Sequence, residues 1–208
     1  MNMTGPLTFV AFGDSLTVGF IPSRITNQPY SRFLKEIVDE FLRQVEKDGD
    51  IETRFINKGV NGDLTSGMLL RFRQDVMQLN PNFVIILGGT NDIGWGVPVE
   101  EIFSNLKRIY ELAQKNQSTP ISCTVPSILG WDEGIPSRMQ LNQLIKHYCH
   151  EKRVLCADLF MKTCDPQTKR LRFEYSSDGL HLNVLGYQKM AEAIFEETLQ
   201  ALLIHEFK

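Results

Sequence analysis

Residues 83–87 are Phe-Val-Ile-Ile-Leu, five apolar side chains in a row between an Asn-Pro-Asn turn and a Gly-Gly pair. Such a run is too short for a helix and too uniformly apolar for a half-exposed strand. It reads as a strand buried on both faces, and a strand of that kind needs a covering layer on each side. The rest of the chain supplies those layers in regular alternation. Strands are expected at residues 7–12, at 55–57 within a segment that starts near Ile51, at 121–125 and at 154–157. Helices are expected at 30–45, 64–77, 136–151 and 184–204. A further helix is opened by Pro98, whose missing N–H is harmless in the first turn, where Glu100 and Glu101 suit the positive end of the helix dipole. The helix at 30–45 has apolar residues at Phe33, Leu34, Ile37, Val38, Phe41, Leu42 and Val45, a stripe along one face. Strands alternating with helices predict an α/β chain with a parallel sheet covered on both faces. Residues 17–29 and 127–135 are least like regular structure. Both follow strand ends, so both are expected on one rim of the sheet.

The balance of the composition narrows the partners. At 208 residues the chain has the length of one domain, 1–208, and 42% hydrophobic with 23% charged residues matches an ordinary globular protein. A net charge of −3 provides no electrostatic footprint for nucleic acid. No apolar stretch approaches the roughly 18 residues of a membrane span. Met1-Asn2-Met3-Thr4-Gly5-Pro6 lacks the basic segment of a secretory leader, and 7–12 is too short for its apolar core, so a cytoplasmic location is expected. Cys123, Cys149, Cys156 and Cys164 are then reduced thiols rather than a disulfide framework. His147-Tyr148-Cys149-His150 could place two imidazoles on one helix face. No second ligand pair at zinc-like spacing accompanies them, so a helix end is the preferred reading and no metal is expected.

Ser15, in Gly13-Asp14-Ser15-Leu16, stands at the C-terminal mouth of the first strand, where open α/β sheets place reactive groups. A neutral serine hydroxyl needs an adjacent base. Of the four histidines, His181 has the best context. Asp178 lies three residues earlier, close enough for its carboxylate to reach Nδ1, fix the tautomer and stabilise an imidazolium. The competing reading of Asp178 is a turn or helix-cap residue, since Ser177-Asp178-Gly179 is a turn signal. Asn91, in Gly88-Gly89-Thr90-Asn91-Asp92, follows the buried strand and could donate to a tetrahedral oxyanion. Gly62, after the second strand, could add a backbone N–H. Preorganised donors aimed at developing charge are what ester hydrolysis requires. Asp14, beside the serine in sequence, reads as structural and bonded to nearby backbone.

Together, Gly13-Asp14-Ser15-Leu16, Gly62 within 57–65, Gly89-Thr90-Asn91-Asp92 and Asp178-Gly179-Leu180-His181 resemble the four blocks of the GDSL/SGNH hydrolase superfamily, in the right order and spanning residues 13–181. The resemblance implies a flavodoxin-like three-layer α/β/α sandwich with a five-stranded parallel sheet. It implies Ser15 as nucleophile, His181 as general base, Asp178 as its orienting partner, and an oxyanion hole of the Ser15 and Gly62 N–H groups with the Asn91 side chain. The Gly-x-Ser-x-Gly elbow of α/β-hydrolases is absent. The family includes lysophospholipase L1-like and thioesterase-like enzymes and carbohydrate acetylesterases.

A short-to-medium acyl ester is the expected substrate, with a lysophospholipid, an acyl thioester or a sugar O-acetyl ester as alternatives. Ile21, Trp95, Ile128 and Trp131 lie in rim segments and are candidate pocket walls. No cofactor is needed by this chemistry, and a homo-oligomer stays open. Two readings from other classes compete. A flavodoxin-like nucleotide or flavin module lacks a Gly-x-Gly-x-x-Gly or Walker-type run. A catalytically silent scaffold is disfavoured because every expected catalytic position is filled.

Overall fold

A side chain on a strand points to the opposite face from its neighbour, so a strand apolar throughout must serve two cores at once. The computed structural model describes residues 5–45 and 51–207, and in it the chain does this. β1 (Leu7–Gly13) leads into a single helical turn, α1 (Ser15–Val18), then a small hairpin of β2 (Phe20–Ile21) and β3 (Thr26–Asn27), and then α2 (Tyr30–Val45). The repeating units that follow are β4 (Thr53–Gly59) with α3 (Thr65–Asp75), and β5 (Phe83–Leu87) with α4 (Thr90–Gly94) and α5 (Val99–Lys115). β6 (Thr119–Cys123) with α6 (Ile135–Lys152), and β7 (Leu155–Ala157) with α7 (Leu159–Thr163), complete the sheet. α8 (Val184–Ile194) and α9 (Gln200–Phe207) end the chain, joined by a wider-wound turn at Phe195–Leu199.

The five main strands are parallel, in the order β4-β1-β5-β6-β7. Phe9 and Ala11 of β1 and Phe83, Ile85 and Leu87 of β5 face the layer made by α2, α8 and α9. Val10, Phe12, Val84 and Ile86 face the layer of α3, α5 and α6. Helix α2 meets the sheet with Tyr30, Leu34, Val38 and Leu42, one ridge at four-residue spacing. Phe9 stacks between Phe55 and Phe83, with ring centroids 4.3 and 4.9 Å away, and ties three neighbouring strands together. The chain steps outward from β1 to β4 and then back across to β5. That reversal opens a crevice at the C-terminal ends of the strands, beside β1.

The five-stranded α/β/α sandwich is the expected one, and the differences are local. The fourth main strand begins two residues earlier than expected and runs through Pro120, which pairs with Val84. The strand expected from near Ile51 begins at Thr53. Residues 17–29 are not a plain loop, because α1 and the β2/β3 hairpin fill most of them. The long terminal helix is two helices with a π-wound turn between them. Among the described residues no helix is long and apolar enough to cross a membrane. Met1–Thr4, where a leader would begin, lies outside the described residues.

Candidate active site

The end of β1 is held tightly, and Ser15 inherits its position from that. Asp14 caps α1: its Oδ1 accepts the Leu16 N–H at 2.9 Å, and its backbone carbonyl accepts from both Thr17 and Val18. Below α1, β4 approaches so closely that only glycine fits at position 59. A Cβ there would stand 2.4 Å from the Val18 nitrogen and 2.9 Å from the Asp14 oxygen. Asn57 adds a brace by donating to the Thr17 carbonyl at 2.6 Å, while its own oxygen accepts the Gly59 N–H. Ser15 is thus nearly buried on a turn fixed from both sides.

The other half comes from the segment before α8. Asp178 performs both duties that its sequence context allows. Its Oδ1 accepts the Leu180 and His181 N–H groups at 3.0 and 2.7 Å, closing a turn, and its Oδ2 lies 2.8 Å from His181 Nδ1. Asn183, not Asp178, caps α8, accepting from the Gly186 N–H. The Phe20 ring packs against the imidazole in a T-shaped pair, at 88° and 5.4 Å between centroids. His181 Nε2 then stands 3.1 Å from Ser15 Oγ, joining residues 166 apart in the chain. With Nδ1–H donating to the carboxylate, Nε2 carries the lone pair and faces the hydroxyl. Burial pushes the Asp178 carboxyl up, but the His181 side chain and the two backbone donors outweigh it and hold it below the usual carboxylate range.

Gly62 and Asn91 are brought to the same corner. Gly62 lies in the turn after β4 at φ +74°, a left-handed conformation that suits glycine. Its N–H has no acceptor among the described residues. The turn is pinned on one side by Val60 N–H to the Gly13 carbonyl, 3.0 Å, and on the other by Asn91 Nδ2 to the Asp63 carbonyl, 2.9 Å. Arg71 locks it from beneath, bonding Asp63 and Asp75 and donating to the Lys58 and Gly13 carbonyls. Next to Asn91, Asp92 accepts from the Thr65 hydroxyl at 2.6 Å and from its N–H. Burial raises the Asp92 carboxyl despite those bonds. Asp14 is shifted further: complete burial drives it to about 7, with the Leu16 bond opposing and Asp92 and Asp63 adding to the rise.

Three of the four expected wall residues meet in one cavity. Trp95, Ile128 and Trp131 line a space of about 350 Å³ with Asn91 and Leu180, the residue before His181. Ile21 does not join them. The β2/β3 hairpin folds it inward, and it is buried in the core with Tyr30 and Leu34. A larger groove of about 610 Å³ runs between α2 and α8, lined by Phe33, Ile37 and Phe41 with three glutamates, and holds none of the groups gathered at Ser15. His147 is exposed and lies 3.4 Å from Glu151, and no cluster of three or more metal-ligating side chains occurs among the described residues.

The charged residue of the lining escaped the sequence reading. Arg138 also borders the cavity, although only 1% of it is exposed. Its signal was in the register of α6, where Ile135, Arg138, Leu141, Asn142 and Ile145 share the buried face. Asn142 is satisfied there by both backbone groups of Val125.

The model of the GDSL-like lipase/acylhydrolase family matches residues 11–189. Among curated proteins, an N-acylneuraminate cytidylyltransferase of Streptococcus agalactiae is 23% identical over 155 residues, 73% of this chain. The match spans only 37% of that relative's length. Among solved structures, a GDSL-like lipase from Bacteroides thetaiotaomicron superposes with a TM-score of 0.75 at 24% identity, covering 94% of this chain and 89% of the other. A variant of an acetyl xylan esterase from Geobacillus stearothermophilus gives 0.72 at 20% identity, covering 95% and 96%. Both share the fold.

Proposed function

The chain belongs to the GDSL-like lipase/acylhydrolase family, and on that premise we propose that it hydrolyses small carboxylic esters through an acyl-enzyme on Ser15. The observation that carries this reading is the continuous relay from Ser15 Oγ through His181 to Asp178, with separations of 3.1 and 2.8 Å.

In the proposed reaction the Ser15 oxygen attacks the ester carbonyl as its proton passes to His181 Nε2. The negative oxygen of the tetrahedral intermediate is met by the Ser15 and Gly62 N–H groups and the second Asn91 amide proton. Asp178 holds the imidazole in the accepting tautomer and stabilises its positive charge. Collapse breaks the carbon–oxygen bond to the alcohol, which leaves with the proton from His181. Water, deprotonated by the same nitrogen, then attacks the acyl-enzyme and releases the carboxylic acid and free Ser15.

The 350 Å³ cavity supports a small substrate, since it is at the lower end of the range for small-molecule sites. A sugar O-acetyl ester is the second reading, favoured by Trp95, a 79% exposed indole in the lining of that cavity. A panel of p-nitrophenyl esters from acetate to palmitate, with an acyl-CoA and an acetylated sugar, tests both. Turnover confined to short chains is the expected result. Equal turnover by Ser15→Ala on every member sinks the proposal.

A further inference from the structure

Arg138 has the largest of the fully buried side chains. Among the described residues it joins no ion pair. Of the two acids nearest in sequence, Asp132 is engaged by Arg170 on the surface, and Glu133 is exposed and makes no ion pair with Arg138. Burial lowers the guanidinium only to about 10, with no carboxylate raising it, so it stays cationic at neutral pH. Of its five N–H donors, one on Nη1 reaches the Gly134 carbonyl at 3.1 Å, and Nε has no partner. One face is covered by the Trp131 ring, 5.5 Å from the guanidinium carbon.

The Gly134 bond and the Trp131 ring hold the side chain in place but leave its charge unmatched. Arg138 lies in the first turn of α6, where a cation opposes the helix dipole. An uncompensated buried charge is among the most destabilising features a fold can contain. What the position does offer is a place in the lining of the cavity beside Asn91 and Leu180. A carboxylate or phosphate in that cavity would accept from the guanidinium fork and neutralise its charge.

We propose that this cavity binds an anionic group of the substrate, so that the preferred esters are small acidic ones, with a carboxylate or phosphate held by Arg138 while the ester carbonyl is at Ser15. The inference rests on the esterase reading of Ser15 and narrows its substrate class. The anion would also complete the site electrostatically, sitting where the positive end of α6 adds to the arginine.

The test compares kcat/KM for 4-acetoxybenzoate and 4-acetoxyphenyl phosphate with that for the neutral 4-acetoxybenzamide. Wild type should favour at least one anionic ester by ten-fold or more, and the one favoured identifies the group. In Arg138→Met that ratio should fall at least ten-fold, and Arg138→Lys should recover part of it because charge is kept and the fork is lost. A wild-type ratio near one, or a ratio that Arg138→Met leaves intact, overturns the proposal. Should Arg138→Met not fold, calorimetry on wild type decides: 4-hydroxybenzoate must bind at least ten-fold more tightly than 4-hydroxybenzamide, and equal binding overturns the proposal. If neither ester is turned over faster than by Ser15→Ala, the esterase reading falls, and the calorimetric comparison still judges the anion site separately.

Discussion

The Asn91 carboxamide donates to the Asp63 carbonyl at 2.9 Å, so the side chain proposed to meet the oxyanion also anchors the turn that carries Gly62. One amide proton holds the turn, and the other is the one proposed to meet the oxyanion. Asn91→Ala should therefore remove one donor and loosen another. A fall in kcat of roughly 10²–10³ is expected, with KM moving much less. A variant that changes KM alone would show that Asn91 binds ground state only.

Ser15→Ala and His181→Ala should each lower kcat by on the order of 10⁶, and combining them should add little, because the two act as one unit. Asp178→Asn should be roughly a hundred-fold less damaging, since that carboxylate orients and stabilises rather than reacts. Labelling by a fluorophosphonate probe, followed with the ester assay, checks both statements. Labelling that persists in Ser15→Ala would place the nucleophile elsewhere.

Asp14 predicts a pH dependence of stability. Burial raises its carboxyl from 3.8 to about 7, so the folded chain keeps a proton that the unfolded chain releases near the ordinary value. The resulting stabilisation is complete below about pH 4 and is lost as pH rises through about 7. Between about pH 5 and pH 8 the wild type should lose roughly 3 kcal/mol that Asp14→Asn does not lose. Urea unfolding at the two pH values measures it, and parallel curves for the two proteins would remove Asp14 as the cause.

Gly59→Ala tests how finely Ser15 is placed. The added methyl meets backbone of α1 rather than a side chain that can turn away. The strand or the nucleophile turn must shift, and a displacement near 1 Å costs about 10² in rate. The expected variant folds with lower stability and loses about two orders of magnitude in kcat, read by the ester assay beside a thermal melt. Unchanged kcat would mean that the turn tolerates the movement.

The parts of this molecule legible in sequence are those with a short period or a short range. Residues 83–87 announce a buried strand by themselves, and Asp178 reaches His181 within one turn. α4 and α7 have five residues each, too few for a stripe to register. Ile21 looked like a rim residue because two-residue strands have no alternation to read, and only the hairpin turns it inward. Arg71 and Asp63 form their network across eight residues and two elements, which no local pattern encodes. Arg138 sits in the core register of α6, and a charged residue in that register was a legible conflict between pattern and chemistry.

The 166-residue gap between Ser15 and His181 also governs when this site can exist. The serine-bearing strand is made before the histidine, and any chain released before residue 181 carries the hydroxyl without its imidazole. On the proposed mechanism such forms should show no ester turnover, so that hydrolysis would report that the first strand and the segment before α8 have met in a finished fold.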